Sequence, residues 1–199
     1  MSNTQIQYKM RRFIIIALFA TISFAALAQP RAAGLRFGTT GLEASYQHSF
    51  GWDYFLEGEI GLDFGAGVKS PAGFKAVATY NIIWARPAWT DRGSWALYAG
   101  PGIAFGGVAD TVTYRIDNIK HTIADNGFMM SLVAQAGIEY TFWFPLQLSL
   151  DMRPYFGFHT NKGYEIVGGP ASIQYGAKTS FYDRGLLGFI PTLSVRYRF

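Results

Sequence analysis

Apolar side chains recur at every second position over most of the chain beyond residue 30. Phe128, Met130, Leu132, Ala134, Ala136, Ile138, Tyr140 and Phe142 alternate with Ser131, Gln135, Gly137, Glu139 and Thr141. Leu146, Leu148, Leu150, Met152, Pro154, Phe156 and Phe158 alternate with Gln147, Ser149, Asp151, Arg153, Tyr155 and His159. The end of the chain repeats the device from Leu187 to Phe199, broken by Ile190 and by Pro191, which removes one ladder donor and suggests a local irregularity. Shorter alternating runs cover 41–48, 54–64, 74–84 and 95–105. Period two predicts strands with one apolar and one polar face. Several runs exceed ten residues, against an average strand of about five or six, and a strand crossing hydrocarbon needs about 9–11 residues.

These seven runs, joined by turns, predict an up-and-down antiparallel sheet. A tight hairpin is expected at Phe144-Pro145, with further short turns at 49–53 and 87–93 on the same side. The opposite side then carries 66–72 and two long stretches, 108–126 and 159–184. Within the first long stretch, Thr111–Ile116 and Ile119–Ile123 flank Asp117-Asn118, the pattern of a hairpin. Residues 163–181 are expected to form a second one. Barrels of this kind normally have an even strand number. The apolar phase slips between Leu35/Phe37 and Leu42/Ala44/Tyr46. Thr39-Thr40-Gly41 is therefore either a turn, giving eight strands directly, or a bulge, with the eighth strand inside 163–181.

Composition sharpens this picture. Half the residues are apolar and 17% aromatic, while only 15% are charged, against about a quarter in soluble domains. No later segment reaches the roughly 18 continuous apolar residues of a membrane helix. A closed barrel is the other way to satisfy every backbone group in lipid. A soluble sandwich also alternates, but it accounts poorly for the aromatic content and the strand lengths. The N-terminus reads as an export signal: Lys9, Arg11 and Arg12, an uncharged apolar run Phe13–Leu27, and Ala26-Leu27-Ala28 before Gln29. The expected division is a leader at 1–28, cleaved after Ala28, and a barrel domain at 29–199. The formal charge of +4 loses three leader cations, so the remaining chain is near +1 and gives no case for nucleic-acid binding. There is no Cys, which excludes disulfides and thiolate chemistry.

The polar phase supplies the candidate site. Glu43, Glu57, Glu59, Asp63, Glu139 and Asp151 are expected to point inward with Lys75, Arg153, Arg196 and Arg198. Closing the ring brings the last strand beside the first, so Arg196 or Arg198 should meet Glu43 or Glu57. Unpaired ions in a narrow interior are costly, and eight strands leave room only for side chains. The expectation is a plugged lumen stabilised by a charge network. Paired carboxylates also suit acid–base work, but a structural network explains them more simply. The histidines, His48, His121 and His159, read as loop or rim residues. A lipid-modifying site needs a His with a Ser. His48-Ser49 falls on the short-turn side; His121 and His159 have no Ser nearby in sequence, and only folding could bring Ser172 or Ser180 close. No HExxH, phosphate-binding loop or dinucleotide fingerprint occurs, and no metal-ligand spacing is present. No catalytic, metal or cofactor site is therefore expected.

Aromatics gather at the short turns: Phe142-Trp143-Phe144, Trp84 with Trp89, Phe50 with Trp52, and Tyr197 with Phe199. Such belts suit a membrane–water interface. With its leader, its alternating strands and the ending Ser194-Val195-Arg196-Tyr197-Arg198-Phe199, the chain resembles the small OmpA-like and OmpX-like bacterial outer-membrane barrels. The resemblance is architectural and spans about 30–199. It implies residence in the cell outer membrane, and a terminal strand whose Tyr197 and Phe199 signal to the barrel-assembly machinery. It implies outer-membrane lipids as partners, with a surface or extracellular ligand reached through 108–126 and 159–184. Because the chain stops at Phe199, no peptidoglycan-binding domain is expected after the barrel. The activity expected is non-enzymatic; the alternatives are an outer-leaflet lipid-A hydrolase or acyltransferase and a narrow solute channel.

Overall fold

The computed structural model describes the backbone of residues 30–39, 41–64, 72–116, 119–166, 173–182 and 188–199, with side chains outside 108–126, 161–178 and 180. The expected leader, Thr40, most of the 66–72 loop and Asp117-Asn118 lie outside the described residues.

The alternating runs form ten strand segments. They are β1 (Arg31–Gly38), β2 (Gly41–Phe50), β3 (Tyr54–Asp63), β4 (Gly73–Ala85), β5 (Ser94–Ile116), β6 (Ile119–Thr141), β7 (Leu146–Met152), β8 (Tyr155–Ile166), β9 (Ile173–Tyr182) and β10 (Thr192–Arg198). Each neighbouring pair is antiparallel, and pairing of β5 with β6 and of β1 with β10 closes the ring. The ten segments make eight crossings. β7 and β8 are one path along β6: Met152 faces Ala136 and Tyr155 faces Val133, with no residue inserted. Pro154 interrupts that path because it has no N–H to donate. β9 and β10 form the eighth crossing. The phase slip near residue 39 is a turn, since Gly38 faces Gly41 across it.

Pairing fixes the pitch of the ring. From Phe37 the register runs through Leu42, Leu62, Phe74, Gly107 and Phe128 to Thr160. The short way round, through Leu193, reaches Leu150. The two ends lie ten residues apart on the same path. This stagger tilts the strands, as closure of a small barrel requires.

Two predicted runs need correction. The run Leu146–His159 breaks at Arg153-Pro154, and the run Leu187–Phe199 is strand only from Thr192. Before it, Gly188 and Phe189 form a short 3₁₀ turn. The last crossing also carries an insertion. Gly157 faces Tyr182, so Asp151, six residues earlier, would face residue 188 on a straight path; it faces Thr192 instead. The last crossing is therefore four residues longer than a straight path. Gly188 packs on Pro154, and its carbonyl accepts the Arg153 N–H at 2.9 Å. The excursion satisfies a donor at the place where the proline disrupts the ladder.

Inward glycines face large inward side chains. Gly137 lies between Tyr98 and Asp151 in register. A Cβ there would sit 2.5 Å from Asp151 Cβ and 2.7 Å from Tyr98 Oη. Gly61 lies likewise between Glu43 and Lys75. At Gly58 a Cβ would meet nothing within 4 Å. Overpacking costs about 1–3 kcal/mol or more, so Gly137→Val is expected to lower the urea midpoint of the folded barrel, while Gly58→Ala leaves it near wild type. Refolding curves followed by heat-modifiable gel migration check both; equal midpoints would contradict the packing described.

Candidate functional site: the charged lumen

The interior of the barrel is polar and its outer face apolar. Leu56, Ile60, Ile103, Phe105, Leu132 and Phe156 are exposed on the outside, while Glu57, Glu59, Ser131, Gln135 and Arg196 are buried within. Among the described residues the buried charges are six carboxylates (Glu43, Glu57, Glu59, Asp63, Glu139, Asp151) and four cations (Arg36, Lys75, Arg153, Arg196), besides His159.

They form layers, because inward residues two apart on one strand lie on successive levels. In one layer Arg36 is the hub. Its Nη1 donates to Glu43 at 3.1 Å and its Nη2 to Asp151 at 2.5 Å, with Glu59 3.7 Å from its Nε. Lys75 lies 2.7 Å from Glu43 and 3.8 Å from Asp63. Arg153 is paired with Glu59 and lies 3.4 Å from Glu43. Asp151 also accepts from Thr192 Oγ1 at 3.2 Å and Tyr98 Oη at 3.4 Å.

The next layer centres on Arg196. Its guanidinium pairs with Glu57 and donates to Ser45 and Ser149, both at 2.8 Å. Glu57 accepts further bonds from Ser45 at 2.8 Å and Gln135 at 3.0 Å. Thr79 donates to Gln135 at 2.5 Å, and Asn81 donates to it at 3.2 Å. Below, Gln147 donates to Gln47, which donates to Glu139 at 3.1 Å. On the other side of the Arg36 layer the lumen turns apolar. Val77, Ala104, Met129, Val133 and Tyr155 pack together with Tyr182, and Lys75 Nζ lies 5.5 Å from the Tyr155 ring centroid. Each charge is met by an opposite charge or by neutral donors and acceptors, which makes burial affordable.

Nine of the ten predicted lumen residues are buried here. Arg198 is not: it is exposed, at the end of β10 where the wall stops, and its backbone N–H reaches the Pro145 carbonyl at 3.3 Å. Arg36 is the residue that the sequence reading missed, although its place between Leu35 and Phe37 marks it as inward. His159 also differs from expectation. It is buried inside β8, and its ring centroid lies 6.3 Å from that of Tyr182. His48 sits half-buried near the short-turn end, 3.4 Å from Tyr46 Oη. The side chain of His121 and the whole of Ser172 lie outside the described residues. Strand register places Ser180 opposite His159. Tyr197 and Phe199 are exposed, and Phe199 exchanges backbone hydrogen bonds with Arg31 at 2.8 and 3.1 Å, so the two ends of the barrel sequence meet at one seam.

On the outer wall, Pro101, Ala134, Ala136, Pro154 and Phe189 bound an apolar groove of about 430 Å³. No cluster of metal-ligating side chains occurs among the described residues.

Removing one partner from a buried pair costs about 3–5 kcal/mol. Arg196→Met is therefore expected to destabilise the barrel strongly in urea unfolding. The double variant Arg196→Met/Glu57→Gln should lose less than the sum of the two single variants, because neither leaves an uncompensated ion. Strict additivity would contradict the pairing.

Compared with known proteins, the chain matches no protein-family model, no curated protein and no solved structure.

Proposed function

We infer that the protein is a non-enzymatic outer-membrane β-barrel whose lumen is plugged by its own side chains. In this reading its outer hairpins, 108–126 and 159–184, meet the environment, the leader at 1–28 exports it, and the terminal strand addresses it to the assembly machinery. One observation carries the reading. The chain turns its hydrocarbon outward and its charges inward, the reverse of a water-soluble fold. Exposed Leu35, Phe37, Ile60, Leu62, Phe74, Ile82 and Phe105 form a band round the outside. Such a surface needs hydrocarbon to cover it. The long hairpins support the same orientation, since Ile116 faces Ile119 and Ile166 faces Ile173 at one end, while no hairpin extends from the connections 51–53, 86–93 and 142–145 at the other.

The register also favours a second reading. His159 stands opposite Ser180, and a His–Ser pair is the core of an acyl-transfer nucleophile. Burial of His159 inside the wall weighs against it, because an outer-leaflet lipid would have to enter the barrel. Lipid A extracted from cells carrying wild-type protein or His159→Ala separates the two: an acyl pattern that changes with the variant supports the enzyme.

For the leading reading, the expected outcome is recovery in the outer-membrane fraction, with a folded band that shifts on boiling. In planar bilayers the purified barrel should show no large, stable conductance. A soluble protein without detergent, or steady channels, would overturn it.

A further inference from the structure

All five tryptophans lie at the short-turn end: Trp52, Trp84, Trp89, Trp95 and Trp143. Four of them are strongly exposed. The rings of Trp89, Trp95 and Trp143 belong to one chain of aromatic contacts. Trp89 contacts Trp95 at 5.4 Å, Trp95 contacts Tyr140 at 4.6 Å, Tyr140 contacts Phe142 at 4.6 Å, and Phe142 leads to Trp143 and Phe144. Such rings hold the headgroup level of a bilayer.

The same rim is basic. It carries Arg31, Arg86, Arg92 and Arg198, against two acids, Asp53 and Asp91. The rim cations are all arginine. Arg86, Arg92 and Arg198 are exposed, and none pairs with a carboxylate among the described residues. They are held in place by other contacts. Arg86 donates to the Trp52 carbonyl. The Arg92 guanidinium lies 5.8 Å from the Trp143 ring centroid, and its carbonyl accepts from Tyr140 Oη at 2.8 Å and Thr90 Oγ1 at 2.9 Å. Arg198 is tied to Pro145, in the turn that bears Trp143. Arg92 thus stands over the aromatic turn at Trp143, Arg198 is exposed on the strand whose backbone is bonded to that turn, and Arg86 stands beside the turn at Trp52. A guanidinium stacked on an indole keeps its N–H edge available, and that fork matches a phosphate.

We propose that this rim is a binding surface for anionic glycerophospholipids in the leaflet at the short-turn end, with Arg92 gripping the headgroup phosphate beside Trp143 and Arg86 and Arg198 adding positive charge around it. It rests on the membrane-inserted reading above. Charge complementarity selects the occupant: three exposed arginines that meet no carboxylate among the described residues, on a rim whose rings anchor it at headgroup height, favour lipids with net negative charge over zwitterionic ones.

Because all the tryptophans lie on the rim, their fluorescence reports the lipid next to it. The full-length protein, folded into vesicles, would be titrated with acyl-chain-brominated phosphatidylglycerol and, separately, brominated phosphatidylcholine. The expected result is a preference for phosphatidylglycerol of roughly threefold to tenfold at low salt, falling toward unity at high salt. The Arg86→Gln/Arg92→Gln/Arg198→Gln variant should lose that preference while keeping its heat-modifiable folded band. The corresponding lysine variant should keep part of it. Equal quenching by the two lipids in the wild type, or an unchanged preference in the glutamine variant, overturns the proposal and leaves membrane insertion standing. No quenching by either lipid overturns both.

Discussion

The constraint on which the structure depends is closure. A sheet with a free edge leaves a row of N–H and C=O groups unsatisfied, and in the proposed membrane setting hydrocarbon would offer them no partner. Pairing β1 with β10 removes the edge along the barrel wall. Once the ring is closed, strand geometry leaves each side chain two options, inward or outward. The ten-residue stagger and the eight crossings then set a lumen too narrow for bulk water. Apolar residues take the outside, polar residues the inside, and the inside must supply partners for its own charges.

That last requirement explains the layered network. Arg36 comes from the first strand, Glu43 from the second, Glu59 from the third and Asp151 from the seventh, and their ion pairs span the interior. Arg196 on β10 does the same with Glu57 on β3. Glycine supplies the space. Gly61 and Gly137 face inward where their cross-strand neighbours are large, so the interior alternates bulk with emptiness. The same economy shows where the wall is irregular. Pro154 costs a ladder bond, and the longer path before β10 returns a carbonyl to the Arg153 N–H next to it.

Much of this was legible in the sequence because a period of two is unambiguous when runs exceed ten residues. The hairpins and nine lumen charges follow from phase, while the eighth strand follows from the even number expected of such barrels, since phase alone left residues 39–41 open between a turn and a bulge. The failures have physical reasons. Pro154 sits on the apolar phase of an unbroken alternation, so the pattern hides the missing donor. Ile190 and Pro191 did signal trouble, but phase alone cannot separate a bulge from an excursion. Arg198 keeps the inward phase, yet the wall ends before its side chain finds an interior. Arg36 was overlooked because its strand is short and precedes the phase slip. The depth of His159 depends on how far β8 pairs with β6 and β9, which its neighbours in sequence do not state.

The central claim is that alternate residues of one strand see hydrocarbon and a sealed polar interior. The chain has no Cys, so single cysteines introduced from Phe128 to Ala136 on β6 provide sites for spin labels in the reconstituted protein. The account predicts period-two behaviour: labels at even positions accessible to lipid-dissolved oxygen, and labels at odd positions immobilised and shielded from both oxygen and a water-soluble relaxation agent. Even positions that are open to the water-soluble agent and closed to oxygen, or accessibility without alternation, would contradict it.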